Sequence, residues 1–248
     1  MDNINFYKFR SCNELNFEGL EKESIYFSPL NKLNDIFEGR YDIDEKISDE
    51  FIGKLSRRLV CCLAKGDESI IHNNHYMWTH YADEHKGFCI EYNAHVLNGF
   101  KPYSLRDNYI QQNVWMPIKY TDSYTEPINV GDDLDVKLVD LISHKNISFE
   151  HEKEIRLVLH TTNPYDNKRV VKGSIKAVYL GCRISIEDKM RLIYLASKLE
   201  IACYQMYIGN SSYTLKAIPI NIKFSDLCMV NPQTCQLIKN VEECVNSQ

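Results

Sequence analysis

Hydrophobic residues along this chain come in short runs of two kinds. Runs of five to eleven residues with alternation or dense β-branched and aromatic content read as strands. They are "INFYKFR" (4–10), "SIYFS" (24–28), "LVCCLA" (59–64), "FCIEY" (88–92) and "MPIKYT" (116–121), then "EKEIRLVLH" (152–160), "SIKAVYLG" (174–181), "IACYQMYI" (201–208) and "TLKAIPINIKF" (214–224). Pro29 ends the second of these, because it has no N–H for a ladder. Runs of helical period lie between them. "SCNELNFEGLEKE" (11–23) predicts a short helical turn that Gly19 breaks, and "IDEKISDEFIGKLSRRL" (43–59) an amphipathic helix. "NNHYMWTHYADEHKG" (73–87) predicts a helix closed by Gly87 as its C-cap. On it Trp78, Tyr81, Ala82 and His85 form an apolar face suited to the core. "DDLDVKLVDLISHKN" (132–146) places Leu134, Leu138, Leu141 and Ile142 on one stripe. "SIEDKMRLIYLASKLE" (185–200) opens on a Ser185–Asp188 capping pair. Residues 93–132 are irregular, and "LNKLNDIFEG" (30–39) reads as a polar loop or one helical turn.

One strand breaks the pattern. Alternation from 152 to 160 sends Ile155, Leu157 and Leu159 to one face and Glu152, Glu154 and Arg156 to the other. Two carboxylates and a guanidinium side by side read either as a solvated face with a Glu–Arg pair or as a face that acts on something.

The order of strands and helices predicts an α+β fold. It is a single domain over 1–224 with a mixed or antiparallel, possibly split, sheet flanked by helices, and a weakly structured tail over 225–248. The 248 residues are 44% hydrophobic and 25% charged, with formal net charge −5. That balance argues against a broad basic nucleic-acid surface. Nine Cys with no CxxC predict free thiols in a reducing cytoplasm. The opening "MDNINFYKFR" is not a signal peptide, and no apolar run suits a membrane span, so the expectation is a soluble cytoplasmic protein with no membrane partner.

The common nucleotide and hydrolase signatures are missing: no GxGxxG after a strand, no GxxxxGK[ST], no GxSxG, no HExxH. His80 and His85 flank Asp83, but five residues on a helix put them about 140° apart, a poor convergence for one ion. No metal ligand is therefore assigned. In "NDIFEG", Asn34 and Asp35 suit turn capping, and with Glu38 they could instead line a cleft. Arg10, ending the first strand, is a surface residue or a bidentate clamp for phosphate.

In order, "YKFR", "IYFSPLNKLNDIFEG", "VCCLA", "MWTHYADEHKGFCIEY", "HKNISFEHEKEIRLV" and "IKAVYLG" closely resemble an uncharacterised bacterial family, the domain of unknown function numbered 2971. The resemblance runs from about Phe6 to about Gly181. It departs at Ile36, where the family suggests Pro, and at Phe149, where it suggests Trp. The layout also resembles ADP-ribosyltransferases, in Arg10, the short "NELNFEGL" helix, "SIYFS" and the Glu152-Lys153-Glu154 strand opening.

This second resemblance implies a split-sheet cleft and NAD as substrate. Glu154 would be the essential carboxylate for an oxocarbenium-like ribose, and Glu152 would touch the acceptor. Arg156 would hold one of the two in place. Arg10 would take the pyrophosphate, and Tyr7, Tyr26 or Phe27 would wall the nicotinamide. Asn34, Asp35 and Glu38 would border the cleft, with His80 and Tyr81 in supporting roles. The implied protein is a toxin or defence effector whose acceptor is protein, nucleic acid or nucleotide, with an antitoxin or defence partner. Two alternatives stay open. One is a metal-dependent nuclease or phosphoesterase using Asp35, Glu38, Glu152 and Glu154. The other is a non-catalytic ligand-sensing module. The glutamates, Arg10 and the "NDIFE" loop are expected in one cleft.

Overall fold

The structure is a computed structural model and describes residues 5–103, 112–163, 165–209 and 213–221. The expected tail over 225–248 lies outside the described residues. The first half comprises β1 (Asn5–Arg10), α1 (Glu14–Glu21), β2 (Ser24–Tyr26), α2 (Glu45–Leu55), β3 (Arg58–Gly66), α3 (Ser69–His72), α4 (His75–His80) and β4 (Phe88–Tyr92). Then come β5 (Lys101–Pro102), β6 (Val114–Pro117), β7 (Lys119–Thr121), α5 (Leu134–Ser143), β8 (His144–Asn146) and β9 (Glu154–His160). Last are β10 (Lys168–Val170), β11 (Ile175–Leu180), α6 (Ile186–Lys198), β12 (Ala202–Ile208) and β13 (Leu215–Pro219). The class is α+β, as the order of runs predicts. No helix among the described residues is long and apolar enough to cross a membrane.

The chain forms two compact units, each assembled from separate stretches. Unit 1 takes Met1–Ser24, Gly66–Val96 and Val171–Gln248, and unit 2 takes Ile25–Lys65 and Leu97–Val170.

In unit 1 the strands run in the order β13-β12-β11-β4-β1. Neighbours are antiparallel except β11 and β12, which are parallel. A parallel pair needs a crossover, and α6 supplies it. Ser185 caps α6 through its Oγ, which accepts from Asp188 N at 3.1 Å, and Leu192, Ile193, Leu195 and Ala196 form the buried face. Phe9 meets Trp78 edge-on at 5.1 Å, and Phe17 stacks on Phe88 at 6.0 Å.

Two helix boundaries in unit 1 differ from the pattern. α1 runs through Gly19 to Glu21, because Asn13 caps its start and Gly19 faces the core. α4 stops at His80, and Asp83, Glu84 and His85 adopt left-handed backbone. His85 still stacks on Trp78, at 5.9 Å, but reaches it from this turn and not from a helix face. Trp78 is wholly buried and its Nε1 donates to Ile71 O at 2.9 Å. Gly87 is required here: a Cβ would lie 2.1 Å from Arg10 O.

In unit 2 the order is β3-β9-β6-β5, antiparallel apart from β5–β6. The expected "MPIKYT" strand splits, since Pro117 ends β6 and Ile118 N donates to Glu154 O at 3.1 Å before β7 begins. β7 pairs in parallel with β8. Asp133 caps α5 by accepting from Asp135 N at 3.0 Å and Val136 N at 3.3 Å. Its predicted stripe of Leu134, Leu138, Leu141 and Ile142 packs with Phe51, Val60, Val114 and Val158.

The unusual strand is shorter than its alternation. β9 begins at Glu154, and Glu152 ends a 3-10 turn over Ile147–Glu152. Lys153, at φ 47°, breaks the alternation between them. Glu154 and Arg156 do share one face. That face is neither solvated nor open, because every β9 residue from Glu154 to Leu159 is buried.

Candidate functional site

The polar face of β9 is the centre of a buried charge network in unit 2. Arg156 has no exposed surface. Its Nε donates to Glu154 Oε1 at 2.6 Å, its Nη1 to Ile142 O at 2.7 Å and its Nη2 to Glu38 Oε1 at 2.6 Å. Lys145, on β8, donates to Glu152 Oε2 at 2.5 Å and Glu154 Oε2 at 3.0 Å, and lies 3.5 Å from Glu38 Oε1. Its ammonium also sits 4.8 Å above the Phe149 ring. Tyr120 Oη accepts from Glu154 N at 2.8 Å.

Isolated charges at this depth are strongly disfavoured, so each must be matched by partners. Burial alone pushes the Glu154 carboxyl up. The Arg156 and Lys145 cations reverse this and hold it well below the usual carboxylate range. Burial pulls Lys145 and Arg156 down, and the glutamates more than restore them, so both stay charged. Glu38 differs. Burial raises its carboxyl, the Glu154 charge adds to that, and Arg156 and Lys145 offset the rise only in part. Its Oε2 lies 2.6 Å from Arg156 Nη2 but has no aligned hydrogen bond.

Glu38 and Lys145 also border a groove in the same unit. One lobe, of about 150 Å³, is lined by Phe37, Glu38, Arg40, Tyr124, His144 and Lys145, among others. A second, of about 410 Å³, shares Thr121, Tyr124 and His144 with it. Together they fall within the ~300–1,000 Å³ range of small-molecule sites. The "NDIFEG" loop shapes the rim. Asp35 Oδ1 accepts from Phe37 N at 2.9 Å, the capping role its type suggests. Gly39 turns the chain at φ 72°, where a Cβ would meet Asn31 N at 3.0 Å. Phe37 and Arg40 are exposed.

The structure thus joins Glu38, Glu152, Glu154 and Arg156 in one unit, with Asp35 on the groove and Asn34 on the same loop. Phe27 is buried against Phe100, 5.8 Å between centroids, so its ring is a core element with no face for nicotinamide. Tyr26 packs under Lys168 at 4.5 Å. Tyr7, Arg10, His80 and Tyr81 belong to unit 1. Tyr7 has no exposed surface and serves that core. Arg10 is half-buried at the end of β1. His80 is exposed and stacks on Tyr76 at 6.0 Å, and Tyr81 N closes α4 on Met77 O.

Sequence reasoning missed Lys145, Tyr120, Arg40 and His144. The segment "HKNISFEHEKEIRLV" holds His144 and Lys145 beside the glutamates, and that clustering was the available signal. Nothing in the sequence marks Tyr120.

No curated protein and no solved structure matches the chain. Residues 77–157 match the model of a family described as protein of unknown function (DUF2971). The matched stretch contains "MWTHYADEHKGFCIEY" and "HEKEIR", and with them Lys145, Glu152, Glu154 and Arg156, while the loop bearing Glu38 precedes it. Over residues 77–157 the chain is similar to this family, in the stretch where its motifs resemble it.

Proposed function

We propose that the unit 2 groove binds NAD and that the protein is an ADP-ribosyltransferase or NAD glycohydrolase. Glu38 is then the carboxylate at the nicotinamide-bearing ribose. One observation carries this reading: of the three network carboxylates, Glu38 is the one that lines the groove. Both Glu154 oxygens are taken, by Arg156 and Lys145, so Glu154 acts by positioning. It holds Arg156, and Arg156 holds Glu38. A carboxylate fixed by such a frame can stabilise positive charge developing on a ribose without reorganising. Arg40 and the exposed rings of Phe37 and Tyr124 line the same groove; in this reading Arg40 takes the pyrophosphate and the rings take a base. The resemblance in element order supplies the reaction class, and the biological role that goes with it is that of a toxin or defence effector.

A non-catalytic ligand sensor is the second reading, favoured by the mutual pairing of Glu154, Arg156 and Lys145. A metal centre is less well suited to these residues. Lys145 and Arg156 already fill the space where Glu38, Glu152 and Glu154 converge, and no His, Cys, Asp and Glu grouping among the described residues is placed to hold an ion. Calorimetry with NAD and with Mn²⁺, in parallel with nicotinamide release, separates the three. NAD binding with release supports the transferase reading. NAD binding without release under any acceptor supports the sensor. Mn²⁺ binding alone would return the choice to the metal enzyme.

A further inference from the structure

His144 follows the last residue of α5 and lines both lobes of the groove. Its Nδ1 lies 2.7 Å from Asp140 O and 3.3 Å from Ser143 Oγ. A carbonyl oxygen can only accept, so Nδ1 carries the hydrogen, and Nε2 of the neutral ring keeps its lone pair. No hydrogen-bond partner holds Nε2 among the described residues. A histidine fixed by one nitrogen to the main chain, with the other free and its ring lining the same lobe as a framed carboxylate, has the arrangement of a general base.

We propose that His144 is that base and that the acceptor it serves is an oxygen nucleophile, a hydroxyl group or water. The proposal rests on the NAD reading of the groove. In the step, the acceptor O–H gives its proton to His144 Nε2. The oxygen bonds to the ribose anomeric carbon. The carbon–nitrogen bond to the nicotinamide ring breaks, and its electron pair leaves with neutral nicotinamide, cancelling the ring's positive charge. Glu38 supports the ribose during the exchange and His144 ends as imidazolium.

The test uses the full chain in three forms: wild type, His144→Asn and His144→Gln. Asn keeps a donor near the Nδ1 position and lacks Nε2, whereas Gln keeps a polar but non-basic group near Nε2. Long-range ¹⁵N NMR of the free wild type should show His144 with a protonated Nδ1 and an unprotonated Nε2. Nicotinamide release should fall by about 10²- to 10⁴-fold in both variants, the usual scale for a lost general base. NAD affinity should stay within about threefold, since Nε2 acts on the acceptor. A wild type with hydrogen on Nε2 would overturn the assignment. So would variants that turn over at the wild-type rate while Glu38→Gln is slow, an outcome that leaves the NAD reading standing. A wild type that neither binds nor consumes NAD would remove that reading and this proposal together.

Discussion

Arg156 Nε sits 2.6 Å from Glu154 Oε1, two residues apart on one strand, with both side chains shut away from solvent. The same guanidinium reaches Ile142 O of α5 and Glu38 of the loop, so one side chain ties three segments of unit 2 together. Removing one member leaves the others charged, buried and unmatched. Arg156→Leu should therefore destabilise unit 2 by about 3–5 kcal/mol, and Glu154→Leu by a similar amount. Replacing both should cost clearly less than the sum of the two. Urea unfolding followed by Trp115 fluorescence measures this. Single-variant losses below about 1 kcal/mol would mean the pair behaves as an exposed one.

Acid should undo the same pair. The folded Glu154 carboxyl is held below its ordinary value of 4.5, with Arg156 and Lys145 outweighing the upward push of burial. A depressed carboxyl gives its full contribution above the unfolded value and loses it as pH falls through the folded one. Glu38, raised by burial, has the opposite sign, and its part is lost as pH climbs through its raised value. The net expectation is a stability decline below about pH 4 that is steeper in wild type than in Glu154→Gln. Urea midpoints at a series of pH values check it, and identical acid limbs would contradict it.

Much of the fold is readable from hydrophobic period. β4, β11 and α6 fall where alternation, a buried run and a Ser185 cap place them. Lys153 shows why the site was less legible. Nothing in "HEKEIR" signals that Lys153 takes left-handed backbone, so the alternation reads through it and assigns Glu152 to the strand. Nor can alternation tell a wet polar face from a buried one. The partners that bury it, Lys145 and Glu38, come from positions 9 and 116 residues before Glu154. Gly19 erred the other way, because a buried helical glycine and a helix-ending one are the same letter.

Glycine tolerance should differ sharply between two helix-associated positions. Gly87→Ala forces a methyl within 2.1 Å of Arg10 O and 3.0 Å of the Ala82 backbone, so the cost should be at least about 1–3 kcal/mol. Gly53 lies inside α2, and a methyl added there would meet nothing within 4 Å, so Gly53→Ala should stabilise by about 0.5–1 kcal/mol. Thermal unfolding of both variants tests the geometry of the turn after α4. A neutral Gly87→Ala would show that the turn sits farther from β1.

The assignment of the working carboxylate is tested most directly by nicotinamide release from NAD, measured for wild type, Glu38→Gln and Glu154→Gln at matched folded concentration. Gln keeps the size of the side chain and removes its charge. If Glu38 stabilises charge at the ribose, its loss should lower turnover by about 10²-fold or more with little change in NAD affinity. Glu154→Gln should lower folding stability first, and the fraction that remains folded should lose less activity than Glu38→Gln. Wild-type turnover by folded Glu38→Gln, or a larger loss from folded Glu154→Gln, would contradict the assignment.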